Sequence, residues 1–155
     1  MNAKTTGIIL KPLEQPEIVT YAISHFALQG TLTQANEGYL YLKIDDHFIT
    51  SLFPLLNTKQ KQLPPYFSDP YNIGAHISVI YQDELSTPFE VNELGSLYLF
   101  NILGLYSAQI DTNLFFILLV ESNELVTIRK KYGFSDTPVY HGIAVDWHIT
   151  IAKGL

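Results

Sequence analysis

Ala75-His76-Ile77-Ser78-Val79 and Trp147-His148-Ile149-Thr150-Ile151 share one pattern, apolar-His-apolar-hydroxyl-apolar, and the fold is read outward from them. In an extended strand, side chains at i and i+2 leave on the same face. His76 with Ser78, and His148 with Thr150, then form two imidazole-hydroxyl pairs, while Ile77, Val79, Ile149 and Ile151 point into a core. For a chain of this composition, two such copies arise by chance in on the order of one sequence in a hundred.

At 155 residues the chain has the length of one domain, expected to span 1–155, and can bury a single core. An apolar content of 47% with 15% charged residues excludes a disordered or fibrous protein. No apolar run is long enough for a membrane-spanning helix, and Met1-Asn2-Ala3-Lys4-Thr5-Thr6-Gly7 lacks a signal peptide's apolar core. With no cysteine there is no disulfide framework, thiol nucleophile or Cys-based zinc site, and a cytoplasmic location is expected. The net charge is −6 and Arg129 is the only arginine. A long duplex or strand needs a basic groove, so such nucleic acid is not an expected partner, whereas one small anion at a focused site is compatible. No membrane partner is expected, and the chain is read as a monomer.

Taken in order, Thr6 to Leu10 reads as a strand ended by Lys11-Pro12. Pro16 opens a helix running toward Leu28, with Val19, Ala22, Ile23 and Phe26 at helical spacing and Gly30 as its stop. Tyr39 to Ile44 alternates as a strand, with Leu40, Leu42 and Ile44 on one face and Tyr39, Tyr41 and Lys43 on the other. Asp45 or Asp46 then caps a helix whose buried stripe is Phe48, Leu52, Leu55 and Leu56, ended or kinked at Pro54. Residues 57–72, with Pro64, Pro65 and Pro70, read as one long loop, which either covers a site or is a plain connection.

After the His76 strand, Asp83-Glu84 is a turn and Phe89 to Leu94 a hairpin partner. Leu97 to Leu105 and Leu114 to Val120 are further strands, separated by Ser107 to Asn113. Glu121 to Tyr132 reads as a helix with Ser122 as cap, Leu125 and Ile128 inward and Gly133 as stop. The last strand is Val145 to Ile151. The order β-α-β-α-β, β-β-β-α-β implies two sheet-and-helix lobes, each holding one His strand.

If the two His strands face each other across a cleft, one imidazole can be the neutral base and the other the protonated acid. That arrangement suits in-line attack at phosphorus, with Ser78 and Thr150 donating to the non-bridging oxygens. The two blocks resemble the paired H-x-[S/T]-x motifs (HxTx) of the 2H phosphoesterase superfamily, which includes the bacterial RNA ligase/cyclic phosphodiesterase proteins. More loosely, Gly38-Tyr39-Leu40-Tyr41-Leu42-Lys43-Ile44-Asp45-Asp46 with Gly74-Ala75-His76-Ile77-Ser78-Val79 looks like the Swiss Army Knife RNA repair-like branch. The resemblance implies an α+β fold, bilobal, with two antiparallel-rich sheets and flanking helices around a central cleft. It also implies metal-independent chemistry, hydrolysing or ligating through 2′,3′-cyclic phosphates or 2′,5′ linkages of RNA ends or nucleotides. By it, His76 and His148 take the catalytic places, and Ser78 and Thr150 the phosphate-binding ones. The alternative is a non-catalytic module that binds a nucleotide or RNA end in the same cleft. The first motif has Ser where Thr is common, and the 75 residues before His76 are long for the family, in keeping with an extra β-α unit. With no arginine beside either motif, further phosphate charge has to be met by lysine or backbone amides.

Other residues are read more openly. Lys153 neutralises phosphate near the strand end or, on the face that alternation sets opposite His148, is solvated. Lys43, Tyr39 and Tyr41 form a cleft wall, with a tyrosine stacking on a base, or else an exposed sheet face. Tyr66, Phe67 and Tyr71 stack a base or pin the long loop. His141, Asp146 and His148, joined by His76, are metal-ligand types, but neither a helical His-x-x-x-His nor a cysteine set accompanies them, so no metal and no cofactor is expected. His25 and His47 read as ordinary helix residues.

Overall fold

A computed structural model of the chain describes residues 8–67, 72–87 and 89–155. The strands are β1 (Ile9–Pro12), β2 (Gln29–Gln34), β3 (Leu40–Lys43), β4 (Lys61–Gln62), β5 (His76–Ile80), β6 (Leu97–Leu99), β7 (Asn101–Ile110), β8 (Asn113–Glu121), β9 (Val139–Tyr140), β10 (Ile143–Ala144) and β11 (His148–Gly154). The α-helices among the described residues are α1 (Pro16–His25), α2 (His47–Thr50) and α3 (Asn123–Lys131). The fold is α+β, as expected. One sheet runs β1-β7-β8-β11-β4, a second β5-β3-β2-β6, and β9 and β10 form a small hairpin. All the strand pairs are antiparallel. One His strand therefore lies in each of the two large sheets. Among the described residues, no helix is long and apolar enough to cross a membrane.

Local signals carried the helices well. Pro16 sits at the start of α1, whose Ile18 and Ala22 are buried. The Ser122 hydroxyl accepts from the Leu125 N–H at 3.2 Å and caps α3, with Leu125 and Ile128 buried. The helix expected after Asp46 is only the short α2, followed by a 3₁₀ turn at Phe53–Leu55 where Pro54 removes a backbone donor. Phe48, Leu52 and Leu56 are buried as read, but Leu55 is exposed and Ile49 takes its place in the core.

Five readings are corrected. First, Gly30 does not stop a helix: α1 ends at His25, and Gly30 lies inside β2, a central strand that the reading passed over. A Cβ on Gly30 would come 2.5 Å from the Lys43 carbonyl, so the residue marks close strand approach. Second, Leu97 to Leu105 is two strands: β6 pairs with β2 and β7 with β1 and β8, so the chain changes sheets at the buried Phe100. Third, Phe89 to Leu94 is not a strand. Its alternation serves packing, with Val91 buried, Phe89 against Tyr132 and Phe134, and Glu93 accepting from Tyr132. Fourth, the polar segment before β8 is mostly strand, since β7 continues to Ile110 and turns at Asp111 with φ +53°. Fifth, the long loop contains β4, which pairs with the end of β11. In β1 the strand continues to Pro12, at a sheet edge where its missing N–H costs no ladder bond. Thr6, Gly7, Pro70 and Tyr71 lie outside the described residues.

Candidate active site

The alternation in both motifs places the side chains as expected. In β5, Ile77 and Val79 are fully buried while His76 and Ser78 face a cleft. In β11, Ile149 and Ile151 are buried while His148 and Thr150 face the same cleft. The cleft has a volume of about 950 Å³. Leu10, Ala108, Phe115 and Ile117, on the five-stranded sheet that also carries His148 and Thr150, add an apolar surface to the cleft.

The two imidazoles are held alike. His76 Nδ1 lies 2.8 Å from the Gly74 carbonyl, and His148 Nδ1 lies 2.8 Å from the Asp146 carbonyl. A carbonyl only accepts, so each Nδ1 carries the proton and each neutral ring keeps the Nε2 lone pair free. Burial pushes the His76 pKa down to about 4, opposed by the Gly74 carbonyl and deepened by the charges of His148 and Lys43. Burial also lowers His148, against the raising effects of the Asp146 carbonyl and carboxylate. Gly74 is needed for this arrangement, because its φ is +65° and a Cβ would meet Asp46 Oδ1 at 2.0 Å. That same carboxylate oxygen accepts from the Ala75 N–H at 2.9 Å, tying down the entry to β5.

Tyrosines surround the motif hydroxyls. Tyr39 Oη and Ser78 Oγ are 2.5 Å apart, and Tyr81 and Tyr66 line the cleft with Ser78 and Thr150. Burial raises all three phenol pKa values, that of Tyr81 to about 12, so at neutral pH each is an uncharged donor. Tyr66, Tyr41 and Tyr39 also set their rings edge-on to His76, at centroid distances of 4.7, 5.7 and 6.2 Å. These contacts cover part of the His76 ring and leave its cleft side open. Tyr41 is buried against Tyr39 and is not part of the cleft lining, and Phe67 is exposed.

The lysines occupy less obvious places. Lys43 stands opposite His76 in the β3–β5 register, but its Nζ donates to Asp46 at 2.5 Å and to the Ile44 and Ala75 carbonyls at 2.9 and 3.1 Å. A bulge between Thr150 and Ala152 shifts the β11 register, so Lys153 pairs with Phe115, a cleft-lining residue. Simple alternation, which set Lys153 opposite His148, fails at that bulge. The Lys153 side chain itself is not among the cleft-lining groups.

Tyr81 and Tyr140 were not singled out from the sequence. Tyr81 follows the His strand and is held by its N–H to Glu84 at 2.9 Å. Glu84 in turn pairs with the fully buried Arg129, which also donates to the Val79 carbonyl at 2.8 Å. The only arginine of the chain is thus a brace behind the cleft. Tyr140 reaches Tyr81, with ring centroids 5.0 Å apart, from the β9–β10 hairpin, where the His141 N–H donates to Asp83 at 2.8 Å. Only an aromatic next to a turn marks either residue in the sequence. His25 and His47 lie on helices away from the cleft, as read. Among the described residues, no three His, Cys, Asp or Glu side chains group as a metal site.

A family model described as Swiss Army Knife, 2H phosphoesterase domain, matches residues 40–154. The chain belongs to this 2H phosphoesterase family. The match starts with β3 and closes with β11, so both His strands of the 2H domain lie within it, whereas β1, α1 and β2 precede it. Family membership supports phosphodiesterase-type activity in general. No curated protein and no solved structure matches the chain.

Proposed function

We propose that this 2H phosphoesterase hydrolyses, or ligates through, 2′,3′-cyclic phosphate or 2′,5′-phosphodiester bonds of RNA ends or nucleotides, with His76 and His148 as general acid and base. The observation that carries this reading is the matched tethering of the two rings, each Nδ1 on the carbonyl two residues upstream and each Nε2 left to the cleft. In hydrolysis, one neutral imidazole takes a proton from the attacking water while the new P–O bond forms. The other, protonated, gives its proton to the ribose oxygen as the old P–O bond breaks. Ser78 and Thr150, with the tyrosines behind them, hold the non-bridging oxygens in line. Both proton transfers run through imidazole, so no metal takes part in the scheme. An anionic phosphate between the rings favours the protonated form of one of them, offsetting the burial that lowers both imidazoles.

The test is turnover of the four nucleoside 2′,3′-cyclic phosphates with chelator present, in wild type, His76→Ala and His148→Ala. Removing either proton-transfer group should lower the rate by about 10²-fold or more. Unchanged turnover in either variant refutes the assignment. Tight binding without turnover in wild type points instead to the nucleotide-binding module.

A further inference from the structure

We propose that the cleft selects small phosphodiesters bearing a single negative charge, and turns away those whose neighbouring phosphates would face the carboxylates of Glu37, Asp83 and Asp146. This rests on the phosphodiesterase reading above and narrows its substrate.

Among the described residues, no lysine or arginine lines the cleft, and these three carboxylates do. Two nearby cations are engaged elsewhere, and Lys153, though its register position faces the cleft side, is not among the lining groups. Arg129 is buried and paired with Glu84, and all three donors of Lys43 are taken by Asp46 and two carbonyls. The groups beside the motif hydroxyls are the neutral phenols of Tyr39, Tyr66 and Tyr81. Neutral donors suit one diester charge, whereas a phosphate dianion or a run of phosphates is bound by charge-assisted bonds from lysine and arginine. The net charge of −6 repels polyanions over the whole approach as well.

The experiment compares adenosine 2′,3′-cyclic phosphate with its 5′-phosphorylated counterpart, which adds a dianion and leaves the reacting diester unchanged. At low salt the 5′-phosphorylated compound should have a kcat/KM about tenfold lower or less, and the gap should narrow as salt rises and screening sets in. In Glu37→Gln, which removes a cleft carboxylate that holds no other group in place, the discrimination should shrink severalfold while turnover of the singly charged compound stays close to wild type. Equal or faster turnover of the 5′-phosphorylated compound, or a rate on it that falls with salt, overturns the charge selection and leaves the phosphodiesterase reading standing. If neither compound is turned over, the phosphodiesterase reading fails, and calorimetric binding of the same intact pair decides the charge selection. Tighter binding of the singly charged compound then supports it; tighter binding of the other, or of neither, overturns it.

Discussion

His76 makes the protein acid-sensitive by an amount that follows from its surroundings. Its pKa is about 4 in the fold against an ordinary value of 6.5, because burial disfavours the imidazolium. As pH falls through 6.5 the unfolded chain takes up this proton and the folded one does not, so stability present above pH 6.5 is lost progressively down to about pH 4. Each pKa unit corresponds to about 1.4 kcal/mol, so the full loss is about 3 kcal/mol, most of it gone by pH 4.5. His76→Gln removes the titrating ring and keeps a polar side chain. Urea unfolding, followed by fluorescence of the single, buried Trp147, is run on both proteins at pH 7.5, 6, 5.25 and 4.5. Every other titrating group is common to both, so the stability difference between them should shift by roughly 2–3 kcal/mol toward the variant across this range. Stability curves that stay parallel to within about 0.5 kcal/mol would show that His76 is not held neutral by burial.

Two further outcomes follow from the same geometry. For the proposed reaction, kcat/KM depends on the singly protonated His pair of the free enzyme, and both imidazoles are lowered. The optimum of kcat/KM should therefore lie below pH 6.5 and fall about tenfold per pH unit above the higher pKa, and an optimum at pH 7.5 or above contradicts the scheme. Arg129→Met leaves the buried Glu84 carboxylate without its partner and should cost about 3–5 kcal/mol in urea unfolding, with much of the loss recovered in Arg129→Met/Glu84→Leu. A single-variant loss under about 1 kcal/mol would show that the pair does not brace the cleft.

Local signals mark the two His strands with their inward Ile and Val residues, the Ser122 cap of α3 and the proline entry to α1. Each depends on side-chain period or on a backbone donor a few residues away, and both are written in contiguous residues. The same holds for His76, Ser78, His148 and Thr150 sharing a cleft, since repetition of one pattern carries the information twice. Tertiary structure alone decided what depends on partners distant in the chain. β2 is a strand because Gly30 lets Lys43 approach, and β6 and β7 separate because Phe100 packs between sheets that claim its two sides. Lys153 changes face at a bulge, and Arg129, the only arginine, is buried against Glu84, 45 residues away. Tyr81 and Tyr140 enter the cleft only because Arg129, Glu84 and Asp83 hold their segments there. Alternation and capping are properties of neighbouring residues, whereas register, bulges and ion pairs exist only once separate segments meet.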